Sequence, residues 1–129
     1  MTETRENKVV LVMDDEKMIR SMLVRLIKAL GGMTSITAAS VEEGFKAFTE
    51  EKIDLIISDL SMPGETGIDM LARVRATGSK VPLMIFSGSL NQGEAEKAVA
   101  MGANKVLNKP APIEELIAAI QELLGIPAE

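Results

Sequence analysis

Ile53-Asp54-Leu55-Ile56-Ile57-Ser58-Asp59-Leu60-Ser61-Met62-Pro63-Gly64 is the segment from which the fold is read. Leu55-Ile56-Ile57 is a continuous apolar run, too short for a helix and ended by a polar break. Such a run reads as a strand buried on both faces, as inside a parallel sheet. Asp59 falls where the strand runs out, and the Ser-Met-Pro-Gly behind it turns the chain toward the next helix. Ligands of open α/β sheets bind in the crevice at the carboxyl ends of the strands. A carboxylate placed there is a ligand, a nucleophile or a helix cap, and this segment alone does not choose among the three.

The signature recurs on both sides. Upstream, residues 9–13 form a second apolar run that ends in Asp14-Asp15. A helix follows, with Ile19, Met22, Leu23, Leu26, Ile27 and Leu30 on one face, and Gly31-Gly32 stops it. Residues 35–38 read as a short strand. Ser40-Val-Glu-Glu43 reads as a capping box opening a helix that carries Phe45 and Phe48 on one face. Downstream, a helix is expected from about Gly67 to Arg75 with Leu71 and Val74 inward. Val81-Pro-Leu-Met-Ile-Phe86 is another buried run, with Pro82 tolerable only near its start, and it ends in Ser87-Gly88-Ser89. An alanine-built helix over residues 94–101 closes at Gly102. Val106-Leu107 is a short last strand ending in Asn108-Lys109-Pro110. Pro112 then opens a helix carrying Ile113, Leu116, Ile117, Ile120, Leu123 and Leu124.

This alternation predicts a doubly wound α/β domain, a parallel sheet with helices on both faces. Periodicity alone leaves the strand order open. The domain is expected over residues 7–125, with short tails at 1–6 and 126–129, and the final Gly125-Ile-Pro-Ala-Glu129 is expected to be a true chain end.

A chain of 129 residues suits one domain. It has no cysteine and no histidine. That excludes a disulfide scaffold, thiolate metal sites and His-based acid/base catalysis, and it denies zinc and copper their usual ligands. Oxygen ligands remain, which favour a hard cation such as Mg²⁺. A net charge of −5 without a basic run argues against nucleic acid or an anionic membrane as partner. No apolar run approaches the ~20 residues that span a bilayer, and nothing resembles a signal peptide. A soluble, cytoplasmic domain is the expectation.

Parallel strands bring Asp14, Asp15, Asp59, Ser87 and Lys109 to one edge. Each has a bland alternative: a cap or turn for Asp59, capping for one of Asp14 and Asp15, a turn for Ser87-Gly88-Ser89 with its capping hydroxyl on Ser89, a solvated lysine for Lys109. Those readings leave unexplained why every charged strand end falls on the same edge. Close carboxylate pairs repel by several kcal/mol at an effective dielectric of ~20, which calls for a raised pKa or a bound cation. The set describes phosphoryl chemistry. Asp59 would be the nucleophile, Asp14 and Asp15 would hold Mg²⁺, and Ser87 and Lys109 would bind the remaining phosphoryl oxygens.

Val-Met-Asp14-Asp15-Glu, Ser-Asp59-Leu-Ser-Met-Pro-Gly, Phe-Ser87-Gly and Asn-Lys109-Pro110-Ala, each separated by βα units, resemble a response-regulator receiver domain of the CheY-like kind. The resemblance covers residues 8–124. It implies a flavodoxin-like three-layer sandwich with strand order 2-1-3-4-5, and a phosphohistidine donor on a sensor histidine kinase or histidine phosphotransfer protein. It also implies that Asp15, Asp59 and the Ser61 carbonyl ligate Mg²⁺ directly, that Asp14 acts largely through water, and that the Lys109–Pro110 bond is cis. Ser61 and Ser89 would flank the approach of a hydrolysing water. Two features depart from the family. Val106 stands where a rotamer-switching aromatic is usual, and the last helix has Glu114, Glu115 and Glu122 but no Lys or Arg, which weakens a salt-bridged dimer and leaves a monomer expected.

Three other readings compete. A flavodoxin-type FMN protein would want a Ser/Thr/Gly-rich phosphate loop and aromatics, where this chain has Asp-Asp-Glu. A degenerate receiver would bind without being phosphorylated, yet all five site positions are filled. A receiver module of a larger hybrid kinase or regulator keeps the same chemistry. With no output domain in the chain, regulation is expected to pass through the surface to a separate, unidentified protein. Met18, at the margin of the first helix's core face and within a turn of Asp14-Asp15, is expected to face the kinase, with a core-edge methionine as the alternative.

Overall fold

Strands buried on both faces need helices on both faces, and the chain supplies them. The computed structural model describes residues 8–88 and 90–126. Its elements are β1 (Lys8–Met13), α1 (Lys17–Leu30), β2 (Met33–Ala38), α2 (Val41–Glu50), β3 (Leu55–Ser58), α3 (Gly67–Ala76), β4 (Leu83–Ser87), α4 (Gln92–Ala100), β5 (Lys105–Asn108) and α5 (Ile113–Leu124). Every strand pair is parallel and the order is β2-β1-β3-β4-β5. The doubly wound architecture and its strand order match the expectation. Ser89 and the segments 1–7 and 127–129 lie outside the described residues, and with them the capping role expected of Ser89.

Side chains alternate across the inner strands with period two. Leu11, Met13, Ile56, Leu83 and Ile85 face α2, α3 and α4, packing on Val41, Met70, Leu71, Val74 and Ala98. Val10, Val12, Leu55, Ile57, Met84 and Phe86 face α1 and α5, packing on Leu23, Ile27, Leu116, Ala119, Ile120 and Leu124. Two apolar layers therefore flank one sheet, the three-layer sandwich.

Local details differ from the sequence reading. β2 starts two residues earlier, at Met33, and Pro82 precedes β4. At α2 the box is incomplete: Ser40 Oγ accepts the Glu43 N–H at 3.2 Å, but Glu43 Oε1 accepts from Ala39 N–H, one residue beyond the cap. Reciprocal boxes form at Thr66/Asp69 on α3 and Asn91/Glu94 on α4, so α4 begins at Gln92. Ile126, expected in the tail, is buried. Gly125 is left-handed, its N–H donates to Glu122 O, and the Ile126 N–H donates to Gln121 O at 2.8 Å. This is a Schellman closure, whose hydrophobic residue past the glycine folds back on the helix.

Candidate functional site

The carboxyl edge of the sheet is fixed by main-chain bonds that carry each strand just past its neighbour. Asp14 N–H donates to Ala38 O at 3.1 Å, Asp59 N–H to Met13 O at 2.9 Å, and Lys109 N–H to Ser87 O at 3.0 Å. Asp14 and Asp59 thus emerge side by side from β1 and β3, and Lys109 reaches across from the end of β5.

Asp14 is buried, and its two oxygens are engaged differently. Oδ1 accepts the Glu16 N–H at 2.9 Å, and Oδ2 accepts the Lys109 ammonium at 2.6 Å. The same Nζ stands 3.4 Å from Asp59 Oδ2 and 3.8 Å from Glu16 Oε1. Asp15 is exposed, and one carboxylate oxygen from each of Asp14, Asp15 and Asp59 lies within 4.8 Å of the others. Ser87 ends β4 and is buried. Ser61 is exposed, two residues beyond Asp59. The Lys109–Pro110 peptide is cis, as the resemblance implied.

Burial disfavours the Lys109 ammonium. The hydrogen bond and charge of Asp14, followed by those of Asp59, outweigh it and hold the lysine above its ordinary pKa. One ammonium against three carboxylates still leaves an excess of two negative charges among these four groups. The donors suit a hard divalent cation: they are clustered oxygens, in a chain without His or Cys.

Two cationic contacts escaped the sequence reading. Arg20, on the second turn of α1, donates from Nη1 to Asp14 O at 2.8 Å. The Phe86 ring lies 5.6 Å from Lys109 Nζ, a cation–π contact. Arg20 could have been sought by carrying α1 one turn past Glu16. The contact with Phe86 needs the β4–β5 register, which no periodicity supplies.

A parallel sheet with a lysine and three carboxylates at its carboxyl edge defines the acidic-site class of flavodoxin-like domains, as opposed to the flavin-binding class. The chain belongs to the response regulator receiver domain family, whose model matches residues 10–121. It is therefore a receiver domain of two-component signalling. It is 35% identical over 118 residues to a probable chemotaxis protein CheY of Rhizobium etli, covering 90% of this chain and 92% of that one. It is 33% identical to the Regulator of RpoS of Escherichia coli, over 85% of this chain but only 32% of that longer protein. Among solved structures, a receiver domain from Clostridium thermocellum superimposes with a TM-score of 0.85 at 31% identity, covering 92% of this chain and 94% of that one. A CheY-like receiver of Methanospirillum hungatei shares the fold with a TM-score of 0.88 at 21% identity, covering 93% and 95%. Among the described residues no helix is long and apolar enough to cross a membrane.

Proposed function

We propose that residues 7–125, together with Ile126, form a cytoplasmic, monomeric phosphoacceptor. It would take a phosphoryl group from a phosphohistidine onto Asp59 and thereby alter a surface read by a separate protein. The observation that carries this reading is the Lys109 ammonium lodged between Asp14 and Asp59 within the three-carboxylate cluster. An Asp59 carboxylate oxygen forms the new bond to phosphorus as the phosphorus–nitrogen bond breaks, and that bond's electron pair returns to the donor imidazole. Lys109 pairs with one phosphoryl oxygen and the Ser87 hydroxyl donates to another, a demand for positioning and charge that needs no proton carrier. Asp14, with both oxygens already engaged by Glu16 N–H and Lys109, orients the lysine and sits behind Asp15. Asp15, Asp59 and the Ser61 carbonyl would hold Mg²⁺ directly, with Asp14 acting through water. Bound there, the ion supplies positive charge against the phosphoryl oxygens.

The donor is a sensor histidine kinase or a histidine phosphotransfer protein, and neither nucleic acid nor membrane is a direct partner. Incubation with acetyl phosphate and Mg²⁺ should add the mass of one phosphoryl group to the intact protein, and Asp59→Asn should abolish the gain. An unchanged wild-type mass, or a gain that survives in the variant, refutes the reading.

A further inference from the structure

Asp59 is held through its main chain as well as its carboxylate. Its N–H donates to Met13 O at 2.9 Å. Its carbonyl oxygen accepts the hydroxyl of Ser58 at 2.9 Å, and Ser58 is wholly buried at the end of β3. Gly67, the first residue of α3, lies against that same carbonyl, and its N–H donates to Leu60 O at 2.8 Å. A β-carbon on Gly67 would collide with the Asp59 carbonyl oxygen. It would also stand 3.1 Å from Leu60 Cα and 3.2 Å from the Asp59 carbonyl carbon.

Gly67 is not among the glycines with positive φ, so conformation does not require glycine here. Nor does the helix: glycine is a poor helix former, and α3 already starts firmly on the Thr66/Asp69 box. Close approach is the remaining reason. The obstructing atoms are backbone, which cannot rotate aside as a side-chain tip can.

We infer that Ser58 and Gly67 are positioning residues for Asp59: one holds its carbonyl by a hydrogen bond, the other leaves the space that carbonyl occupies. Together they set how far the Asp59 carboxylate projects toward Asp14, Asp15 and Lys109. The inference rests on the phosphoacceptor reading for its consequence but not for its geometry. A misplacement of about 1 Å at a reacting group can cost about 100-fold in rate.

The test compares Gly67→Ala, Ser58→Ala and Thr66→Ala. The last removes the hydroxyl cap of α3 without touching Asp59, and so controls for a weakened helix. Phosphorylation by acetyl phosphate at saturating Mg²⁺ should slow about 100-fold in Gly67→Ala and on the order of 5-fold in Ser58→Ala, as for one lost hydrogen bond. Thr66→Ala should keep the wild-type rate. In metal-free protein the backbone carbonyl ¹³C resonance of Asp59 should move in Gly67→Ala and stay in place in Thr66→Ala. A Gly67→Ala rate equal to that of Thr66→Ala, or an unmoved Asp59 resonance, overturns the inference. Should Gly67→Ala not fold, a wild-type rate in Ser58→Ala overturns it. If wild type accepts no phosphoryl group, the phosphoacceptor reading fails while the resonance still decides the seating.

Discussion

Asp14 and Asp59 share one ammonium on unequal terms, 2.6 Å against 3.4 Å, so removing the charge of Asp59 and removing that of Lys109 should have opposite signs. Asp59→Asn keeps the shape, removes its repulsion with Asp14 and Asp15, and leaves the tighter Lys109–Asp14 pair intact. In EDTA it should stabilise the protein by roughly 2 kcal/mol, since at an effective dielectric of about 20 the two repulsions relieved outweigh the looser 3.4 Å contact with Lys109 that is lost. The gap to wild type should narrow as Mg²⁺ is added, because the wild type gains more by binding. Equal or lower stability of the variant in EDTA would mean the carboxylates do not repel as the geometry requires. Lys109→Met does the reverse, stranding the buried Asp14 charge, and should cost about 3–5 kcal/mol. The pH dependence has a definite sign. The Lys109 pKa is raised in the folded state, so its contribution is complete below the unfolded value near pH ~10.4 and is lost as pH rises through the folded value. Chemical denaturation at pH 9 to 12 should show wild type losing stability faster than Lys109→Met.

The elements give the sheet an acidic carboxyl edge and a hydrogen-bonded amino edge. At the amino edge, Arg75 at the end of α3 donates to Ser79 O, Val81 O, Gly102 O and Asn104 Oδ1. Asn104 Oδ1 also accepts the Leu83 N–H at 3.0 Å. One side chain thereby joins α3, the approach to β4 and the turn between α4 and β5. Arg75→Met should destabilise by about 2–3 kcal/mol, since it leaves carbonyls unpaired, while the rate with acetyl phosphate stays at the wild-type value; a slowed rate would place Arg75 in the site's support. On α1, Met18 is 81% exposed rather than tucked at the edge of the core. It borders a groove of about 390 Å³ whose lining includes Met22, Leu26 and Ile113. Met18→Glu should slow transfer from the cognate kinase and spare acetyl phosphate, whereas equal loss with both donors would mean damage to the site itself. How legible each element was follows from its burial. β3 and β4 are buried at every position and read directly as apolar runs. β2, an edge strand with one buried residue, was read two residues short. α4 buries only Ala98, so its start is set by Asn91 and Glu94 rather than by an apolar face. The acidic strand ends were legible because parallel topology gathers them automatically. Ser58 and Gly67 were not, since one acts by a side-chain hydrogen bond to the Asp59 carbonyl and the other by the close approach of α3 to that carbonyl.

At the scale of the whole molecule, the proposed phosphoryl group on Asp59 would have to bias a surface away from the site. Phosphorylation biases an output only by interacting differently with two states, so some part of the fold must have two arrangements. In receivers with a ring on strand five, that ring moves inward as the strand-four hydroxyl is drawn to the phosphoryl group. Val106 is short, branched and restricted at χ1, and it is partly buried against the layer of α2, α3 and α4. Beside it lies a cavity of about 230 Å³, lined by Leu90, Asn91, Gln92, Ala95, Val106 and Asn108. The cavity adjoins the start of α4, while the other end of that helix is followed by Gly102, whose carbonyl Arg75 holds. We therefore hypothesise that the start of α4, from Asn91 to Ala95, closes into this space while β5 stays in place. Comparing the protein with and without the phosphoryl mimic beryllofluoride, the largest backbone changes should fall between residues 87 and 95, with little at Val106. Val106→Phe, which fills the cavity from the β5 side, should diminish the shift without preventing phosphorylation by acetyl phosphate. A larger movement in β5 than in this segment, or a full shift surviving in Ser87→Ala, would show that the switch is built elsewhere.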